Sequence, residues 1–395
     1  MNKKKTIYLD NAATTPVDTA VLKKMQPYFS EKFGNPSSIY ELGVEAIKAV
    51  EKSRQQIADF LGCSSDEIYF TSSATESDNL IVYGVINKLC EQGFKKPHII
   101  VSAVEHKAII NPARHLEKND LVELTLLPVN KKGIIELKDL EKAIKKNTCF
   151  VSIMYANSEI GAIQPIKQIG QLIKNINKKR KQQIIFHTDA VQAVNYLNCN
   201  VNYLGVDSLS LSGHKIYGPK GIGVLYIKKG IKISPLIRGG GQEQGIRSGT
   251  ENTTGIVGLS EAIKNVQKSG LKNKDIEKLR DKLIRGILKS IPDTQVNGCL
   301  KDRLPNNAHF SFNGAEGESI VMELSQRGIF ASTGSACASH FLSPSHVLMA
   351  LGVSPEKINC SVRFTLGRHT LNSDIDYVLK VMPQIVARLR KISGM

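Results

Sequence analysis

The chain has 395 residues, enough to hold two domains with full hydrophobic cores. Its hydrophobic fraction of 41% and mean hydropathy of -0.16 describe a soluble globular protein, and no run of about 18 uncharged apolar residues is present, so no membrane span is expected. The formal net charge of +17 invites a nucleic-acid reading, but the lysines are spread out and no aromatic-interleaved basic stripe occurs, which points to acidic protein partners instead.

The start, Met1-Asn2-Lys3-Lys4-Lys5, is basic but leads into no apolar stretch before Asp10, so no secretory signal is expected. From about residue 20 to 226, helical stretches alternate with short β-branched runs. Residues 44–61 read as a helix and Ile68-Tyr69-Phe70 as a strand, which passes through Ser72-Ser73-Ala74-Thr75-Glu76-Ser77 into a second helix. Ile99-Ile100-Val101 is followed by Glu105-His106, and Phe150-Val151-Ser152-Ile153 by Asn157-Ser158-Glu159. Residues 166–176 read as a helix, with Lys178-Lys179-Arg180-Lys181 where cations suit its C-terminus. The β-rich run Ile184-Ile185-Phe186-His187-Thr188 ends on Asp189, and Asp207-Ser208-Leu209-Ser210-Leu211 leads into Ser212-Gly213-His214-Lys215. Gly223-Val224-Leu225-Tyr226-Ile227 completes the series. Such alternation predicts an α/β fold with a mostly parallel sheet covered on both faces, and ligands at the carboxyl ends of its strands.

The glycine-rich run Arg238-Gly239-Gly240-Gly241-Gln242-Glu243-Gln244-Gly245 reads equally well as a flexible connector. Residues 255–290 read as helical and lead into a smaller α+β region. Its strands are Ala308-His309-Phe310-Ser311-Phe312 and Ser361-Val362-Arg363-Phe364-Thr365, and residues 374–392 form a closing helix.

Lys215 and Asp189 each end a buried-strand signal. A lysine that forms a Schiff base and an aspartate that holds a pyridinium nitrogen are the groups pyridoxal phosphate (PLP) most needs. Each alone has an ordinary reading, as a turn and as a helix cap. The Ser72-to-Ser77 run, between strand and helix, offers backbone N–H groups and hydroxyls to a phosphate, although it is also a plain N-cap. Ser212 and His214 can add donors. His106 can stack on a pyridine ring and shuttle protons, or simply start a helix. Asn157 and Gln192 close strand-end turns and can reach a phenolic oxygen. Arg363 can present its planar fork to a carboxylate, or form a surface salt bridge.

The seven cysteines include no Cys-x-x-Cys pair, which argues against disulfides and zinc and for a reducing cytoplasm. Cys337, in Ser332-Thr333-Gly334-Ser335-Ala336-Cys337-Ala338-Ser339, is flanked by small residues and suits a mobile loop presenting a nucleophile. Such a thiol needs a lowered pKa or a nearby base, for which His106 is one candidate. Cys149, Cys199 and Cys360 lie in or beside apolar runs and read as buried filler.

These motifs, taken in order, resemble the cysteine desulfurases of the class V aminotransferase family. They are Tyr8-Leu9-Asp10-Asn11-Ala12-Ala13-Thr14-Thr15-Pro16, Phe33-Gly34-Asn35-Pro36-Ser37-Ser38, Ala74-Thr75-Glu76-Ser77-Asp78-Asn79 and Glu105-His106-Lys107-Ala108. Asn157-Ser158-Glu159-Ile160-Gly161, the Ser212-to-Gly221 run, Arg247-Ser248-Gly249-Thr250 and Gly334-Ser335-Ala336-Cys337 continue the match. The resemblance implies PLP fold type I, with a large cofactor-binding domain at 16–260. Residues 1–15 and 261–395 would then form a small domain carrying the cysteine loop.

The resemblance further implies a cytoplasmic homodimer that takes L-cysteine to L-alanine. It carries over Lys215 as the Schiff-base residue, Asp189 as the pyridinium partner and His106 as the stacking acid/base. Ala74, Thr75, Ser212 and His214 match phosphate contacts, and Thr250 matches a residue reaching the other subunit's phosphate. Asn157 and Gln192 match cofactor contacts, while Asn35, Asn157 and Arg363 match substrate contacts. Cys337 matches the persulfide-forming nucleophile, able to ligate an iron–sulfur cluster transiently with a scaffold partner; no intrinsic metal is implied. The long stretch after Cys337 resembles the branch serving nitrogenase and general iron–sulfur assembly. The ending Lys391-Ile392-Ser393-Gly394-Met395 lacks that branch's acceptor-docking tail, so different docking is expected. A selenocysteine lyase, another class V enzyme, or a sulfur-transfer scaffold on an inactive PLP fold are the competing readings.

Overall fold

The computed structural model describes residues 6–268, 273–334 and 344–394. Its strands are β1 (Ile7–Tyr8), β2 (Ile68–Thr71), β3 (His98–Ser102), β4 (Glu123–Leu127), β5 (Thr148–Ser152) and β6 (Ile185–Asp189). They continue as β7 (Ser208–Ser212), β8 (Gly223–Ile227), β9 (Thr294–Val296), β10 (Asn307–Phe312), β11 (Ile329–Phe330) and β12 (Ser361–Thr365).

Seven strands form the larger sheet, in the order β2-β8-β7-β6-β5-β3-β4. Only β8 runs against its neighbours, so the sheet is mostly parallel as the alternating pattern predicts. β3, β5, β7 and β8 are buried along their whole length. Side chains alternate between faces with a period of two. Ile100, Val151 and Leu209 therefore join one core, while Ile99, Val101 and Phe150 join the core on the opposite face. The helix at 44–61 begins slightly earlier, at Glu41–Leu61, and buries Ala46, Val50, Ile57 and Leu61 at helical spacing.

The smaller sheet is antiparallel, in the order β12-β10-β9. Phe310, Phe312 and Phe364 pack there with Leu283, Ile287, Val378 and Ile385 from two long helices. Residues 255–290 are two helices, Thr253–Lys268 and Asn273–Ser290, rather than one; residues 269–272 lie outside the described residues. The chain's beginning belongs to this second core. β1 pairs in parallel with β11, and Ile7 and Leu9 are buried with the phenylalanines.

β2, β3, β5, β6 and β7 share one direction, so their carboxyl ends meet at one edge of the large sheet. The Ser72, Glu105-His106, Asn157, Asp189 and Ser212 motifs all follow those ends.

Candidate active site

A cavity of about 420 Å³ opens at this edge. Its lining includes Ala74, Thr75, His106, Asn157, Asp189, Gln192, Ser212, His214, Lys215 and Arg363. The structure thus gathers residues spread over nearly 300 sequence positions into one site (74 to 363).

Lys215 closes a short 3-10 turn, Gly213–Lys215, directly after β7. Its Nζ donates to the carbonyl oxygens of Ala12 at 2.6 Å and Ala13 at 2.7 Å. Asp189 ends β6, with Ser210 of β7 as its register partner. Its Oδ1 accepts the Val191 N–H at 2.8 Å. Burial, and then the nearby Asp78 carboxylate, push the Asp189 carboxyl up to about 7, while His106 and Lys215 pull the other way. A buried carboxyl in this state gains from any cation placed against it.

His106 caps the helix Lys107–Lys118 through Nδ1, which accepts the Ala108 N–H at 3.1 Å. That acceptor role puts the ring proton of the neutral imidazole on Nε2. Gln192 Nε2 donates to the Ala12 carbonyl at 3.1 Å. His214 Nδ1 lies 3.1 Å from the Thr14 hydroxyl, and burial with neighbouring Lys215 and Lys220 takes its imidazole down to about 4. His214 is therefore a neutral donor or acceptor at physiological pH.

Ser73 caps the helix Ala74–Glu91, whose first backbone N–H groups have no intrahelical carbonyl to bond and border the cavity. A glycine lets this helix end come so close. A Cβ on Gly223, the first residue of β8, would lie 2.5 Å from the Ser73 carbonyl carbon.

Asn157 is tied to backbone rather than open to a ligand: Nδ2 donates to Val104 O, and Oδ1 accepts from Glu159 N and Ile160 N, all at 2.9 Å. Arg363 is buried, so its surface-salt-bridge reading is corrected. It donates to Ser158 O and to Asp10 Oδ1. Asn35 is exposed, away from this cavity, with Oδ1 accepting the Ser37 N–H. Thr250 is also exposed and lines a separate cavity of about 220 Å³ with Ser72 and Arg247. Cys337 lies outside the described residues; Gly334 and His346, on either side of that segment, line the site. Cys149 and Cys199 are buried, whereas Cys360 is only half-buried, because it sits at the end of a short helix before β12.

Sequence reasoning passed over three buried carboxyls, Asp78, Glu105 and Glu159, each with an oxygen lacking a hydrogen-bond partner among the described residues. Burial, then Asp189 and Asp78, hold Glu105 well above the usual carboxylate range. Burial pushes Glu159 up to about 7. Glu159 Oε1 is 3.9 Å from His309 Nε2, and a Cβ on Gly334 would lie 2.4 Å from that oxygen. Unfolded, Glu159 loses its proton near 4.5; folded, it keeps it to about 7. The unfolded state thus binds fewer protons in this window, and stability falls as pH rises through it. Glu159→Gln should flatten the decline in unfolding free energy between those pH values, by on the order of 3 kcal/mol at most, as read by denaturant unfolding at each pH. An unchanged pH slope would show that Glu159 titrates normally.

The family model for aminotransferase class-V matches residues 7–378. The chain belongs to the class V aminotransferases. Within that family it is 48% identical to "Cysteine desulfurase IscS" of Dictyoglomus turgidum, over 99% of this chain and 97% of that protein. A solved structure described as "NifS-like protein" superposes with a TM-score of 0.89 at 37% identity, covering 97% of this chain and 100% of the other. Another, "SspA in complex with cysteine", gives 0.80 at 35%, covering 93% and 100%. Among the described residues, no helix is long and apolar enough to cross a membrane, and no group of three or more His, Cys, Asp or Glu side chains could hold a metal.

Proposed function

We propose that this protein is a PLP-dependent cysteine desulfurase that converts L-cysteine to L-alanine and leaves the sulfur as a persulfide on Cys337. The observation that carries the reading is the meeting of Lys215, Asp189 and His106 in one cavity of a chain so similar to cysteine desulfurases.

The donor set fits PLP. Lys215 Nζ would hold the cofactor, and the Asp189 carboxyl, its pKa raised by burial, would pair with a pyridinium nitrogen. The Ala74 and Thr75 N–H groups, Ser212 and His214 would take the phosphate. Gln192 would approach the ring oxygen, while Asn157 would shape the turn around it. When bound, PLP supplies an electrophilic carbon for the substrate amine and a ring that spreads negative charge from Cα.

The chain's own residues do the rest. Lys215 Nζ, once freed, is the base placed to move the Cα proton, and His106 Nε2 carries a proton to or from the substrate. Arg363 binds the α-carboxylate. The Cys337 thiolate attacks the substrate sulfur, the C–S bond breaks with its electron pair on carbon, and a proton completes the alanine methyl group. The thiol thereby becomes a persulfide. His106→Ala should lower kcat by roughly 10²–10⁴, measured as alanine released; a loss under threefold would remove His106 from proton transfer.

We further place the site in a cytoplasmic homodimer, with Thr250 reaching the other subunit's phosphate, Asn35 contacting the substrate carboxylate and an iron–sulfur scaffold as sulfur acceptor. Domains at 16–260 and at 1–15 with 261–395 are part of the same reading: Ile7 and Leu9 share a core with residues from Leu283 to Val386, although Ala262, Ile263 and Val266 pack in the core of the larger unit. Feeding L-cysteine with a thiol reductant should release sulfide and alanine in equal amounts. Keto-acid-dependent transamination without sulfide would overturn the assignment.

A further inference from the structure

The N-terminal segment reaches both ends of the site. Backbone carbonyls of Ala12 and Ala13 hold Lys215 Nζ, while two residues earlier the Asp10 carboxylate accepts from Arg363 Nη2 at 2.8 Å. Arg363 Nη1 donates to the Ser158 carbonyl at 2.9 Å. Its Nε is buried, has no hydrogen-bond partner among the described residues, and belongs to a side chain lining the cavity. Asp10 is itself fixed: its carbonyl accepts the Tyr8 hydroxyl at 2.9 Å, and its backbone bridges to Thr365 of β12.

An α-amino acid carries its amine and carboxylate on one carbon, so an enzyme for it must set an amine-handling group and a carboxylate-binding group at a fixed separation. Here one short stretch, residues 10–13, holds both. A guanidinium binds a carboxylate best through a planar edge whose orientation is set beforehand. With Nη1 and Nη2 each giving one N–H to a protein acceptor, the Nε–H and the second N–H of each Nη are the donors left for a ligand.

We propose that Asp10 is a positioning residue for the substrate α-carboxylate: it anchors the guanidinium of Arg363 so that its remaining N–H donors are held for substrate at a set distance from Lys215. The inference rests on the reading of this cavity as a cysteine site.

Its test uses the holoenzyme with L-cysteine and with L-cysteine methyl ester, whose carboxylate is blocked. Asp10→Ala should raise KM for L-cysteine by roughly tenfold or more with kcat little changed, because a hydrogen bond to a charged group is lost. The methyl ester, which makes no use of the fork, should be turned over as before. Asp10→Asn keeps an accepting oxygen and should stay within about threefold of the parent. Asp10→Ser, too short to reach Nη2, replaces the alanine variant if that one folds poorly.

A fall in KM would show that Asp10 competes with substrate, and equal losses on both compounds would show a merely structural pair; either overturns the proposal. Arg363→Gln separates the levels. If it erases the preference for L-cysteine over the ester while Asp10→Ala does not, the Asp10 inference alone fails. If it leaves the preference intact, carboxylate recognition by Arg363 fails with it.

Discussion

Lys215→Ala should remove both the visible absorbance of the holoenzyme and all measurable desulfuration, while Lys107→Ala keeps both. The two lysines line the same cavity, so the contrast is a test of placement. Lys215 is delivered by the turn after β7, and its amine is pinned by two carbonyl oxygens one strand away from Asp189. Lys107 is the first residue of a helix, where the macrodipole disfavours a cation. The expected loss exceeds that for His106, because in the proposed mechanism Lys215 would both hold the cofactor and move the proton. A Lys215→Ala protein that kept its visible band would place the cofactor on another amine. Absorbance spectra of the two purified variants decide the matter.

Cys337→Ser should keep the visible band and still respond spectrally to L-cysteine, yet release almost no sulfide. A hydroxyl of ordinary pKa is a poor nucleophile toward sulfur, whereas a thiolate is a good one. In the proposed mechanism, binding and proton transfer fall to Lys215, Asp189 and His106 and would not involve residue 337. Full sulfide release by the serine variant would mean that the small-residue segment has only a structural role. The strong positive charge of the chain bears on the following step, because an acceptor with an acidic face would be steered toward it. Transfer to such an acceptor should slow as added salt screens the encounter.

Strands buried on both faces were easy to read. Ile99-Ile100-Val101 and Phe150-Val151 announce themselves by continuous β-branched or aromatic runs, and the motifs after them fall on the sheet's carboxyl edge. β4 did not stand out, since Glu123 and Thr125 interrupt it and its edge position leaves it half-exposed. The two-residue strands β1 and β11 carry no periodicity to detect. Lys215, Asp189 and His106 were legible as side chains, but their anchors were not: the Ala12 and Ala13 carbonyls are backbone, and nothing in an alanine marks them. Asp78, Glu105 and Glu159 look solvated in sequence because acidic residues usually are, and only tertiary burial raises their pKa values. Arg363 stood open between a carboxylate fork and a surface pair; burial against Asp10, over 350 positions away, removes the second reading.

In the proposed reaction sulfur leaves cysteine for Cys337 as alanine forms. One turnover with sulfur-labelled L-cysteine and no reductant, followed by mass spectrometry of the peptides, tests it most directly. One labelled sulfur atom on the peptide bearing Cys337, matched by one alanine per active site, is the expected result. Alanine formed with labelled sulfide free in solution and the Cys337 peptide unmodified would contradict it.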